Sequence, residues 1–261
     1  MNILKFAAID IGSNAIRLII YYVVEDAKGT IFNKNESYRV PLRLGKESFE
    51  NGQISEDTIK NLVYTMTAFD RLMKVHEVIS YRACATSAMR DAKNNLEIVD
   101  EVKEKTGIKI EIISGQEEAD FIYANHLFQS LAIERPFLYT DVGGGSTELT
   151  LFHHNKAEAS TSFKIGTIRL LQNKVSEETW EELKKWIKDN CKGKKNLEII
   201  GSGGNINQLS KMTKSRKTSE LDYFYQSLPV LLEPFALNST PLHSFFAFLL
   251  LCRSLLATRF L

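Results

Sequence analysis

The sequence predicts an α/β fold in two similar halves, because strand-like apolar runs alternate with helical periodicities along the chain. A strand–Asp–glycine turn–strand pattern also occurs twice, 131 residues apart, at Phe6–Leu18 and Phe137–Leu149. Of 261 residues 44% are apolar, enough for one large core or two smaller ones. That balance excludes a disordered chain, a collagen-like repeat and a small disulfide scaffold.

The first half reads as strands over 6–11, 16–24 and about 29–38. A helix follows from Ser55, an N-cap trailed by Glu56 and Asp57 in the first turn. Its apolar positions, Ile59, Leu62, Val63, Met66, Phe69, Leu72 and Met73, keep helical spacing. Residues 77–81 read as a short strand, Thr86-Ser87 opens another helix, and 108–113 alternate as a strand. Ser114 and Glu117 then have capping-box spacing at the start of a further helix. The second half reads as strands over 137–141, 147–152 and 157–163, a helix from Ser176 to about Asp189, and a strand over 197–200. Two domains are expected, 1–124 and 125–261, with their Asp-Gly turns lining a shared cleft. In the repeat, Phe6, Asp10, Gly12 and Leu18 match Phe137, Asp141, Gly143 and Leu149.

Net charge is +1, which on average excludes a basic nucleic-acid binder. The charge is nevertheless segregated. Residues 184–217 carry a net +8, and residues 1–183 a net −6. Lys192, Lys194, Lys195 and Lys214 in the basic stretch read either as a solvated face or as a channel leading a polyanion inward. Three cysteines, Cys84, Cys191 and Cys252, form no C-x-x-C pair, so neither a disulfide framework nor a zinc site is expected. The apolar start meets Asp10 too early for a signal peptide, and a reducing cytoplasm is the expected compartment. Residues 234–261 contain no Asp or Glu and include eight consecutive apolar residues, 245–252. That run is short of the ~20 residues a membrane span needs. The tail reads as a buried terminal helix or as a segment atypical of the fold, and no membrane partner is expected.

Seven of fourteen glycines fall in three turns: Gly12; Gly143, Gly144 and Gly145; Gly201, Gly203 and Gly204. Such turns let the backbone approach a ligand closely, and their successive N–H groups form anion-binding concavities. Ser13, Ser146 and Ser202 add hydroxyl donors. No Walker A loop and no G-x-G-x-x-G opening a helix is present. Asp10, Asp141 and Glu148 are oxygen donors suited to a hard cation such as Mg²⁺, which takes one or two carboxylates with waters and substrate phosphates. Glu117 has a capping role. Glu118, beside it, points to a different side and reads either as a first-turn acid or as a base that deprotonates a water. Thr86 or Ser87 can cap the next helix, and Arg90, one turn in, reads as a surface arginine or as a bidentate phosphate grip. Arg17 and Arg43 are weaker phosphate candidates. The five histidines have no partner at metal-ligand spacing and read as structural or surface residues.

Taken together, Asp10-Ile11-Gly12-Ser13-Asn14 with Arg17, Thr86-Ser87-Ala88 with Arg90, Ser114-Gly115-Gln116-Glu117-Glu118, Asp141 through Leu149 and Gly201-Ser202-Gly203-Gly204 resemble the exopolyphosphatase / guanosine pentaphosphate phosphohydrolase family over residues 6–212. The resemblance implies an actin-like fold of two ribonuclease-H-like domains around a cleft. It implies Mg²⁺-dependent removal of a terminal phosphate from inorganic polyphosphate or pppGpp, in a homodimer, with polyphosphate or guanosine penta- or tetraphosphate as partner. It assigns the catalytic carboxylate to Glu118 and the metal- and water-positioning acids to Asp141 and Glu148. The phosphate loops would be Gly12, Ser13 and Asn14, and Gly143, Gly144, Gly145 and Ser146, with Arg90 near the phosphates. Ala15 and Asn205 stand where the family commonly has Ser and Thr, and the acid-free tail departs from the family's polar helical end. A nucleotide-dependent kinase of the same fold would instead bind adenosine at Gly201–Asn205. A non-catalytic sensor would not need Glu118.

Overall fold

The computed structural model describes residues 3–26, 29–124, 135–154 and 156–202. The expected phosphate-turn residues Gly203 and Gly204, Lys214 and the tail 234–261 lie outside the described residues. The chain divides into two compact units, the first ending at Ser114 and the second starting at Gly115.

The first unit holds β1 (Ile3–Ile11), β2 (Ile16–Asp26), β3 (Gly29–Val40), α1 (Leu44–Asn51), α2 (Glu56–Val75), β4 (Ser80–Ala85), α3 (Ser87–Asp91), α4 (Asn95–Thr106) and β5 (Ile110–Ile112). Its sheet has the order β3-β2-β1-β4-β5, antiparallel across β3-β2-β1 and parallel across β1-β4-β5. This is the ribonuclease-H-like arrangement. Strand alternation sorts its residues. Ile9 and Ile11 pair with Leu18 and Ile16 and are all buried, which sends Asp10 and Arg17 to the opposite face. In α2 the expected stripe is buried at Ile59, Leu62, Val63, Met66, Phe69 and Met73 but only half-buried at Leu72, and Ser55 caps the helix by accepting from Thr58 N–H. The expected strand at 77–81 begins three residues later, because Glu77 adopts φ 56° and Val78 N–H folds back onto Met73 C=O at 2.9 Å. Two helices have no counterpart in the sequence reading. α1 starts after the left-handed Arg43 without a side-chain cap, and α4 buries only Ile98 and Val102.

The second unit holds α5 (Gly115–Ala124), β6 (Phe137–Val142), β7 (Thr147–His153), β8 (Lys156–Phe163), α6 (Thr167–Leu171), α7 (Glu177–Cys191) and β9 (Glu198–Ser202). α5 contacts β7 and β8, so the contact division falls between Ser114 and Gly115, ten residues before the expected boundary at 124. Its sheet order, β8-β7-β6-β9, repeats the first four strands of the other sheet. The repeat extends to fine detail. Gly12 N–H donates to Ala15 C=O at 3.2 Å and Gly143 N–H to Ser146 C=O at 2.9 Å. Each hairpin also carries one register shift at the matching place, between Ile20 and Tyr21 and between Leu151 and Phe152. The expectation of an α/β fold in two similar halves is therefore met.

Alternation gives the second sheet two distinct faces. One buries Leu138, Val142, Leu149, Leu151 and Phe163 against Leu170 of α6 and Leu183, Ile187 and Cys191 of α7. The other carries Asp141, Glu148 and Ser162 in one row, with Phe137 stacked on Phe152 at 4.8 Å farther along. α7 follows Ser176, as expected, and the structure shows Ser176 capping it by accepting from Thr179 N–H. Leu183→Ala should cost about 2–5 kcal/mol, since that side chain is wholly buried. Denaturant unfolding of the variant measures the loss, and an unchanged midpoint would contradict this packing. Among the described residues no helix is long and apolar enough to cross a membrane.

Candidate functional site

Three acids expected from the sequence come together in the second unit. Asp141 is the penultimate residue of β6 and pairs across the ladder with Glu148 of β7. Glu148 in turn pairs with Ser162 of β8, whose hydroxyl donates to Glu148 Oε1 at 2.8 Å. Glu118 lies in the first turn of α5, and its charge acts on Glu148. Glu148 is 3% exposed. Burial, then the neighbouring Glu118 charge and more weakly that of Asp141, push its carboxyl up to about 8, against hydrogen bonds from Ser146 and Ser162 that favour the anion. A buried carboxyl raised in this way by two further carboxylates is a place where a cation would be welcome. On this helix Glu117 is exposed and Glu118 is half-buried.

The glycine turn beside these acids is held from behind. Thr167 and Ile168 N–H donate to the carbonyls of Gly143 and Gly144 at 3.1 and 2.8 Å, and Arg169 Nε donates to the carbonyl of Gly145 at 2.6 Å. Gly166 permits this approach, because a Cβ there would meet the Gly144 carbonyl carbon at 2.4 Å. Gly166→Ala should therefore cost about 1–3 kcal/mol in unfolding free energy and displace the turn. A wild-type denaturation midpoint would show that the close approach is not required. Sequence reasoning missed Gly166, Thr167, Arg169 and Ser162. The available signals were Gly166-Thr167 directly after a strand and a serine facing Glu148 across the hairpin.

In the first unit Gly12, Ser13 and Asn14 form the matching turn. Gly45 N–H donates to Ser13 C=O at 2.8 Å, and Arg43 N–H to Asn14 C=O at 3.0 Å. Ser13 is buried, and its hydroxyl shares a 2.8 Å hydrogen bond with Ser87. Of the two expected caps, Thr86 stands at the N-cap without a side-chain capping hydrogen bond, and Ser87 is turned to the glycine loop. Asp10 pairs with Arg17 at 3.0 Å, and burial raises its carboxyl above the ordinary value while the Arg17 charge pulls the other way. Arg90 Nη1 donates to Ile113 C=O at 2.8 Å, securing the end of β5.

Among the described residues no three His, Cys, Asp or Glu side chains form a ready-made metal cage. The donors present, Asp141 and Glu148, are two carboxylates beside an amide-rich turn. That set fits an ion taking few protein oxygens and completing its shell with waters and phosphate. In the basic stretch Lys194 pairs with Glu158 and approaches His153 Nδ1 at 3.3 Å, whereas Lys192 and Lys195 are exposed.

A family model described as the Ppx/GppA phosphatase family matches residues 23–254. A bifunctional 3-dehydroquinate synthase/phosphatase of Fusobacterium nucleatum is 33% identical over 219 residues, 76% of this chain and 32% of that protein. Exopolyphosphatase 2 of Mycobacterium tuberculosis is 32% identical over 178 residues, 66% of this chain and 55% of that protein. The chain thus spans a third to about half of these relatives. A solved structure of the Aquifex aeolicus PPX-GPPA enzyme superposes with a TM-score of 0.65 at 27% identity, covering 85% of this chain and 75% of that one.

Proposed function

Because the chain belongs to the Ppx/GppA phosphatase family, we propose that it hydrolyses the terminal phosphoanhydride of inorganic polyphosphate or of guanosine pentaphosphate with Mg²⁺. The observation that carries this reading is Glu148, a buried carboxyl pushed up to about 8 by burial and by Glu118 and Asp141, next to an amide-rich turn. Such a place suits a terminal phosphate and its counter-ion and suits few other ligands.

In this reading the amides of Gly144, Gly145 and Ser146 receive the terminal phosphate. Asp141 and Glu148 would hold Mg²⁺, and neutralisation of the non-bridging oxygens is what the ion supplies when bound. Ser162 keeps Glu148 oriented for that task through its 2.8 Å hydrogen bond. Glu118, set on a helix rather than a loop, aligns a water in line with the leaving oxygen and takes its proton. Asp10, already engaged by Arg17, is given no ligand role. The exposed Lys192 and Lys195 would attract polyanionic substrate over longer range.

The test is phosphate release from long-chain polyphosphate and from pppGpp, with and without Mg²⁺. Release that requires the ion is expected. Binding of either substrate without release would overturn the hydrolase reading in favour of a sensor, and transfer to an acceptor other than water would make the chain a kinase.

A further inference from the structure

We propose that Arg169 is a positioning residue that sets the anion-binding shape of the Gly143–Ser146 turn from behind, an inference that rests on the phosphate-binding part of the proposed function. Arg169 is 6% exposed, a charged side chain taken out of water on a five-residue helix. Burying a guanidinium is costly unless it is well hydrogen-bonded. Its Nε gives a 2.6 Å hydrogen bond to the carbonyl of Gly145.

The geometry of that bond decides what the turn can do. Carbonyls of Gly143, Gly144 and Gly145 are drawn to one side by Thr167 N–H, Ile168 N–H and Arg169 Nε respectively. A trans peptide is planar, with its C=O and the following N–H pointing in opposite directions. Three carbonyls fixed toward α6 therefore fix three successive amides, those of Gly144, Gly145 and Ser146, away from it. Two of the three carbonyls are held by backbone, which substitution cannot readily remove. The third depends on one side chain. Losing Arg169 would free the Gly145–Ser146 peptide to rotate, and with it the amide adjoining Glu148's partner Ser146. The first unit solves the same problem differently: the matching carbonyl, that of Asn14, takes the backbone N–H of Arg43.

The experiment titrates inorganic phosphate into the full chain and follows the amide resonances of Gly144, Gly145 and Ser146. In the wild type these three should shift saturably. In Arg169→Met, which keeps the apolar stem and loses the donor, the phosphate dissociation constant should rise about tenfold or more, and the KM for polyphosphate in parallel, with a smaller change in kcat. Arg169→Lys, which restores a donor, should recover most of the affinity, a rescue that a purely structural role for the buried stem would not produce. Should Arg169→Met fail to fold, Arg169→Lys is read alone and should bind phosphate about threefold or more weakly than wild type, since an ammonium reproduces the Nε geometry only in part. Wild-type amides at 144–146 that ignore phosphate, a folded Arg169→Met with unchanged affinity and KM, or, where only Arg169→Lys folds, that variant binding phosphate as tightly as wild type, would overturn the inference. Failure of the hydrolase reading has a different signature, in which phosphate binds at the three amides but no phosphate is released from polyphosphate or pppGpp.

Discussion

Glu118→Gln is expected to lower kcat for phosphate release by about 10²–10⁴-fold, the usual contribution of a positioned general base. The replacement is nearly isosteric, so the helix and its contacts with β7 and β8 should survive and the denaturation midpoint should stay close to wild type. KM should change little, because the base acts on water rather than on the phosphate chain. Glu117→Gln is the matched control. It removes the same charge from the same helical turn, but at an exposed position, and its rate should stay within about twofold of wild type, as expected for a surface change away from the chemistry. Equal activity in wild type and Glu118→Gln would remove Glu118 from the base role.

Glu148→Gln should make the chain more stable and less active at once. The folded chain holds the Glu148 proton up to about pH 8, and the unfolded chain releases it near 4.5. Between those values the folded state binds more protons than the unfolded state, so wild-type stability falls as pH rises through the window and then levels off. A neutral amide escapes that loss but accepts the Ser162 and Ser146 hydrogen bonds less well, leaving a net gain on the order of 2 kcal/mol above pH 8. For a chain of this size that is a rise of roughly 4–8 °C in Tm. The measurement is Tm against pH for both proteins without divalent ions: the gap should be small near pH 5 and widest above pH 8. Adding Mg²⁺ at pH 8.5 should raise the wild-type Tm and leave the variant's nearly unmoved. A gap that does not vary with pH would contradict the buried, carboxylate-crowded setting of Glu148.

Much of this was legible in the sequence because it depends on local signals. Asp-Gly turns after apolar strands showed both the repeat and the position of Asp141. Ser55 announced its helix through capping, and the positions of Glu117 and Glu118 assigned them different sides of one helix. What escaped depends on distance or on brevity. α6 has five residues, too few for periodicity to register, and so nothing in the sequence marked Arg169. Ser162 escaped through register. The β7–β8 pairing shifts by one between Leu151 and Phe152, so counting back from the hairpin turn would place Thr161, not Ser162, opposite Glu148. The placement of α5 with the second unit could not be read from its sequence, because a helix's own pattern does not say which sheet it covers.

The paired turns have a consequence for how the two halves divide their labour. Asp10 faces Arg17 across one ladder, and at the same offset Asp141 faces Glu148 across the other. The frames are copies, down to the turn hydrogen bond and the shifted register, and one side chain inverts the outcome. Where the partner is arginine, the row neutralises itself. Where it is glutamate, two carboxylates face each other, and the crowding is relieved by a proton kept on Glu148 up to about pH 8 or by a cation from outside that displaces it. A single position has thus turned two equal scaffolds into a closed ledger and an open one.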